Sequence, residues 1–275
     1  MRVLSVEFPS RRGMALSVHG VGASVGDTIG PLIVGAIILS VDWKLTLELH
    51  LLPSLIIALL LWRGLRIMRV PGDITHSRGT YTSGMKTLFQ NPQVVTVIAS
   101  NTLIQMSRLS MLAFFPIYIK DTLGYSPFIL GVYLALLYVM GIFSQPILGG
   151  VSDLIGRKAI LIPSFVCMSL LYLATAIVPS GIILGLVIGL LGIFFYAMQN
   201  LTQTAVMDVA PERVQASTMG IMGLFGLPFI LGSPIFAGYL VTLFGIKSAF
   251  WYASVTSFFA ALILINVRFS KPHPL

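Results

Sequence analysis

A polytopic, all-α membrane protein is the fold class this chain predicts, and three observations predict it. Of 275 residues, 56% are apolar and only 9% charged, whereas soluble domains carry about a quarter charged residues. Apolar runs of about 20 residues, long enough to cross the hydrocarbon core as helices, recur along the whole chain. The bases sit in the connections between those runs. Because lipid offers a peptide group no hydrogen bond, such runs form helices rather than isolated strands. The net charge of +8 therefore reads as membrane topology, with lipid rather than nucleic acid as the partner.

Eight helices are expected, over 14–39, 45–63, 93–117, 128–148, 159–178, 182–204, 216–242 and 248–268. Each is rich in Leu, Ile, Phe, Ala and Gly, and most connections are short. The exception runs from Arg63 to Asn91, is polar and basic, and is marked by Pro71-Gly72, Arg78-Gly79 and Ser83-Gly84. It reads as a linker, which gives residues 1–63 as a two-helix segment, 64–92 as the linker and 93–275 as a six-helix bundle. Asn91-Pro92 starts the third helix, with Asn as cap and Pro at the first helical position. The lone Cys167 leaves no internal disulfide and no cysteine metal site, and the first ten residues lack the apolar core of a signal peptide. Neither metal nor cofactor is expected.

Sorting the 17 Lys and Arg residues between the two sides of an eight-helix path tests the helix count. Arg2, Arg11, Arg12, Arg63, Arg66, Arg69, Arg78, Lys86, Arg157, Lys158, Arg213, Arg268 and Lys271 fall on one side. Lys44, Lys120 and Lys247 fall on the other, and Arg108 stays inside a helix. The excess places both termini in the cytoplasm of a cell whose plasma membrane the chain spans.

Ionisable residues inside a bilayer cost roughly 2.5–3.5 kcal/mol each near its centre and mark function by default. Asp27, halfway along the first helix, is a candidate for proton coupling or for binding a cationic group. Arg108, inside the third, is a candidate for binding an anionic group of a solute or for pairing with Asp27. Asn101, Gln105 and Arg108 recur at helical spacing and share one face. Tyr196, Gln199, Asn200 and Gln203 trace a similar stripe, and Gln145 adds an amide to the fourth helix. A polar cavity between helices would use these side chains. Interhelical hydrogen bonding within one bundle is the competing expectation. Gly22, Gly26 and Gly30 form one stripe of close-packing glycines and Gly181, Gly185 and Gly189 another.

Between the fourth and fifth helices, Gly149 to Leu161 packs Asp153, Arg157 and Lys158 into a nearly uncharged region. Gly149 and Gly150 are expected to close one helix, with a short turn through Asp153 and Gly156 before the next. Asp153 could accept from helix-start N–H groups, and the bases could reach helix-end carbonyls or anionic lipid. Farther apart, Pro9–Ala15 is similar to Ala210–Ala216, and Pro31 and Gly35 match Pro234 and Gly238, which makes an internal repeat of about 200 residues.

These residues resemble the major facilitator superfamily of secondary transporters. Gly149, Asp153, Gly156, Arg157 and Lys158 match that family's loop pattern Gly-x-Leu-Ala-Asp-Arg-x-Gly-Arg-Lys in its second-half copy, with Val151 and Leu154 departing from it. Gly26, Gly30, Pro31 and Gly35 match part of the Gly-x-x-x-Gly-Pro-x-x-Gly-Gly pattern of antiporters, with Ser17 and Val34 departing. The resemblance implies two six-helix halves joined by a cytoplasmic linker. It equates the eight helices with helices five to twelve, so that a complete C-terminal half follows a truncated N-terminal one. It implies alternating-access transport of a small solute coupled to an ion, with proton-coupled efflux of a drug-like or metabolite molecule as the first expectation. Import of a sugar or organic acid is the second. An inactive fragment lacking its N-terminal half, or a non-transporting sensor, belongs to a third class. An enzyme is disfavoured, because the chain has no His-Glu-x-x-His, Gly-x-Ser-x-Gly or phosphate-loop sequence.

Overall fold

The structure, a computed structural model, describes residues 12–67, 90–209, 215–267 and 269. Nine α-helices fill the described residues: α1 (Arg12–Ile38), α2 (Trp43–Ile67), α3 (Pro92–Ile117), α4 (Pro127–Ile155), α5 (Arg157–Ile177), α6 (Ile182–Phe195), α7 (Ala197–Val209), α8 (Gln215–Phe244) and α9 (Lys247–Leu264). A π-helical turn, Tyr118–Thr122, prolongs α3. Seven spans are long and apolar enough to cross a membrane, α6 and α7 forming one of them, and α1 adds the shorter apolar stretch Val25–Ile38. Most of the expected linker, both arms of the internal repeat up to Arg11 and Val214, and the Ser17 side chain lie outside the described residues.

The helix ends follow local chemistry. Asn91 is extended (φ −95°, ψ 105°), its Oδ1 accepts from the Gln93 N–H at 3.0 Å, and Pro92 follows at the first helical position. Asp42 caps α2 in the same way, accepting from the Leu45 N–H at 2.8 Å. These side chains satisfy N–H groups that have no partner inside their own helix.

Two boundaries differ from the sequence expectation. Helix α4 does not close at Gly149 and Gly150 but continues to Ile155, and α5 begins at Arg157. A glycine ends a helix only where the backbone turns to positive φ. Gly149 and Gly150 stay helical, whereas Gly156 takes φ 99° and ψ 148°, a region essentially reserved for glycine. The turn is therefore one residue long, and Asp153 lies in the last helical turn of α4. The expected helix over 182–204 is likewise interrupted at Tyr196 and resumes to Val209.

The chain forms two compact units. The first contains α1, α2 and the opening turns of α4, 126–135. Backbones approach closely at Gly35, where an added Cβ would lie 2.7 Å from the Pro127 carbonyl oxygen, and at Gly131, where it would lie 2.5 Å from that of Pro31. The Gly22, Gly26 and Gly30 stripe faces open space, so of the expected packing motif only Pro31 and Gly35 make close contacts in this unit.

The second unit contains α3, α5 to α9 and the rest of α4. Helix α9 packs on α5 and α3, α8 packs on α3, and α5 packs on α6. Ala249, Ala253, Ala260 and Ala261 give α9 a buried small-residue face, which lets its backbone approach α5 and α3 closely, as helix packing in lipid requires. Glycine contacts between α4 and α6 come at Gly189, near Leu136, and at Gly192, against the Leu137 carbonyl. Gly181 is instead the positive-φ residue (98°) before α6. The outward faces expose Ile182, Leu186 and Ile235, as a lipid-contacting surface does.

Replacing Gly156 by Ala should lower stability in detergent by about 1–3 kcal/mol. Gly150→Ala, in helical geometry with open space around it, should raise stability by up to about 1 kcal/mol. Thermal unfolding of the two variants side by side checks both signs.

Candidate functional site

Arg108 enters from the middle of α3 and is 7% exposed. Its Nη1 donates to Gln105 Oε1, one turn earlier, at 2.8 Å, and to Gln199 Oε1 of α7. The guanidinium carbon lies 4.5 Å from the Phe195 ring centre and 4.8 Å from that of Tyr196. Charge-assisted hydrogen bonds contribute about 1.5–3 kcal/mol each and cation–π contacts about 0.5–2 kcal/mol each. Together they offset the roughly 2.5–3.5 kcal/mol cost of an arginine at membrane depth. Two amide oxygens and two ring faces thus surround the guanidinium.

The joint between α6 and α7 carries half of this site: Tyr196 keeps helical dihedrals (φ −94°, ψ −37°), and its carbonyl accepts from the Asn200 N–H at 3.4 Å. Gly192 sits against the Leu137 carbonyl, and an added Cβ at Gly141 would be 3.3 Å from the Tyr196 side chain. With α6 held so close to α4, Tyr196 wedges on Gly141, where Tyr138 meets its ring edge-on at 5.6 Å. The helix resumes at Ala197 with Gln199 turned to Arg108.

Gln105, Arg108, Tyr196 and Gln199 are thus brought together. Gln145 and Asn200 form a second amide pair, Asn200 Nδ2 donating to Gln145 Oε1 at 2.7 Å, and Gln145 Nε2 donates to the Gly141 carbonyl at 3.0 Å. Gly141 joins the two groups, since it also carries the Tyr196 contact. Asn101 is 4% exposed, and its Oδ1 has no hydrogen-bond partner among the described residues. Asp27 belongs to the first unit and is exposed on α1. Phe195 and Tyr138 were not legible as site residues, because aromatic side chains in an apolar run carry no signal of a nearby cation.

At the joint between α4 and α5, Arg157 organises a second cluster. Its Nη1 lies 2.5 Å from Asp153 Oδ1, its Nε donates to Asp208 Oδ2 at 2.8 Å, and Nη1 also donates to Ser152 Oγ at 3.0 Å. Two bases at the start of α5 face the positive end of its dipole, which the two carboxylates offset. Lys158 turns away and donates to the carbonyls of Ile265 and Val267 just past α9, where the helix end favours a cation. Sequence reading missed Asp208. The available signal was its rarity: one of nine acids, placed near the same end of the membrane path as Asp153.

Taken together, the fold and the site define a multi-pass helical membrane protein with a buried cation held between α3 and the α6–α7 joint. The family model described as Major Facilitator Superfamily matches residues 1–232, and the chain belongs to that superfamily, whose members are transporters and not enzymes. The tetracycline resistance protein, class E, of Escherichia coli is 34% identical over 141 residues, which covers 50% of this chain and 33% of that protein. The matched stretch thus spans a third of that relative's length. A crystal structure of a bacterial homologue of the human lysosomal transporter Spinster, inward-facing and unoccupied, superposes with a TM-score of 0.62. It is 16% identical and covers 94% of this chain and 70% of that one. At that identity the likeness is one of fold.

A double-mutant cycle of Arg157→Gln and Asp208→Asn, read by unfolding in detergent, should give a coupling of about 1 kcal/mol. The Arg157–Asp153 cycle should give about 0.3–0.5 kcal/mol, because the Asp153 side chain is 64% exposed against 38% for Asp208.

Proposed function

We propose that the protein is a secondary active transporter that moves a small drug-like or metabolite solute outward across the plasma membrane in exchange for protons, by alternating access. The observation that carries this reading is the buried guanidinium of Arg108 at the α6–α7 joint, held among Gln105, Gln199, Phe195 and Tyr196. Ionisable groups buried at membrane depth mark solute and ion pathways. Gln105, Arg108, Tyr196 and Gln199 hold the solute in this reading, with Asn101, Gln145 and Asn200 along its path. Asp27 is the proton-coupling carboxylate. The similarity to a tetracycline resistance protein supports export over nutrient import and makes tetracycline the first probe.

The distribution of bases supports cytoplasmic termini and puts the α4–α5 joint on the cytoplasmic side. There Gly149, Asp153, Gly156, Arg157 and Lys158, with Asp208, form a latch that stabilises the outward-facing state and opens in the inward-facing one. Residues 93–275 act as one rocking bundle, 64–92 as the linker, and 1–63 as the part contributed to the opposing half.

Everted membrane vesicles containing the full chain test this reading through tetracycline-dependent proton release, followed by a pH-sensitive dye. Arg108→Gln should cut the initial rate about tenfold or more at equal protein level. Asp27→Asn should abolish proton release and leave binding of labelled tetracycline within about twofold. Wild-type rates for Arg108→Gln, or no solute-dependent proton release from the unaltered chain, overturn the reading.

A further inference from the structure

The face of α3 that carries Arg108 also holds a polar group that the described residues leave unsatisfied. Asn101 lies about two turns before Arg108 on that face. It is 4% exposed, and its Oδ1 has no hydrogen-bond partner among the described residues. Gln105, between the two, is half-buried, and its Oε1 is taken by Arg108. A buried amide oxygen without a donor costs stability, and native interiors hold few of them.

The helices that cover this face supply no donor for it. Consecutive spans alternate in direction, so α7 runs opposite to α3, on which it packs. Because Gln199 meets Arg108, the residues after Gln199 come beside those before Arg108. Thr202, Ala205 and Val206 are the buried ones there. Thr202 spends its one hydroxyl proton on the Met198 carbonyl of its own helix, and the other two side chains are apolar. One turn before Asn101 on α3 stands Val97, also apolar and fully buried. The donor for Asn101 Oδ1 has to come from a molecule bound at this face.

We infer that the solute is an elongated organic anion with an N–H or O–H donor at its far end, the anionic group meeting Arg108 and the donor meeting Asn101 Oδ1. Seven residues of helix set the two Cα atoms about 10 Å apart. The longer arginine side chain leans back toward the start of α3, which brings the two ends of such a solute to roughly 7–9 Å apart. A site with an unpaired buried acceptor discriminates against analogues that lack the donor, because those leave the acceptor unpaired. The inference rests on the reading of Arg108 as a solute-binding group and narrows that reading to a chemical class.

N-(4-aminobenzoyl)glycine has this form, with an aryl amine at one end and a carboxylate at the other. The test is equilibrium binding of the radiolabelled compound to the full chain in phosphatidylcholine nanodiscs. Binding should saturate. N-benzoylglycine and N-(4-methoxybenzoyl)glycine, which lack the donor, should compete about tenfold less well, the difference one hydrogen bond supports. The glycinamide analogue, which lacks the anion, should also compete about tenfold less well. Asn101→Leu should erase the preference for the amine. The comparison of the four compounds on the unaltered chain needs no variant to fold. Equal competition with and without the donor, the result expected if water alone meets Asn101, overturns the assignment. Absence of saturable binding, or a preference that survives Asn101→Leu, overturns it as well. Tetracycline-dependent proton release is measured separately, so failure here leaves the transport reading in place.

Discussion

In hydrocarbon no water completes the hydrogen bonding of a peptide group, so each backbone N–H and C=O must find its partner within the protein. A helix in this chain therefore runs on until a residue relieves its end. Asn91 and Asp42 do so with side-chain oxygens. Gly124, Gly156, Gly181 and Gly245 do so by taking positive φ. At Tyr196, between α6 and α7, the backbone keeps helical dihedrals and its carbonyl accepts from the Asn200 N–H at 3.4 Å, while Gly141 lies against the Tyr196 side chain.

Buried polar groups in the second unit obey the same rule. Ser100 Oγ donates to the Ala260 carbonyl at 3.0 Å, Ser169 and Ser254 pair at 3.0 Å, and Ser110 and Ser233 pair at 2.7 Å. These contacts join α9 to α3 and α5, and α8 to α3, at several depths. Small side chains let the helices come close enough for such hydroxyls to meet, and in lipid that proximity and the hydrogen bonds hold helices together. Arg108 is the extreme case, a full charge accommodated by two amides and two aromatic faces on different elements.

At the α4–α5 joint the governing effect is the helix dipole. Arg157 and Lys158 both begin α5, the wrong end for cations. One is compensated by carboxylates from α4 and α7, and the other reaches the carbonyl end of α9. A joint with a single non-helical residue thus ties four helices of the second unit together.

Helix existence was legible in the sequence because hydrophobic length and charge placement act locally, and the bilayer imposes one answer on an apolar run of about 20 residues; of the eight expected spans, seven are long and apolar enough among the described residues, and the first has only the shorter stretch Val25–Ile38. The Asn91 cap was legible for the same reason, as was the helical face shared by Gln105 and Arg108. Tertiary structure alone decided where glycine means a turn and where it means packing. Gly156 leaves the helical region in both φ and ψ whereas Gly149 stays in it, and Gly192 matters because Leu137 lies against it. It also decided the partners of the charges: Gln199 for Arg108, Asp208 for Arg157, and the end of α9 for Lys158. Those pairs bridge 91, 51 and more than 100 residues of sequence, and no local periodicity encodes which side chain from a distant helix arrives at the same depth.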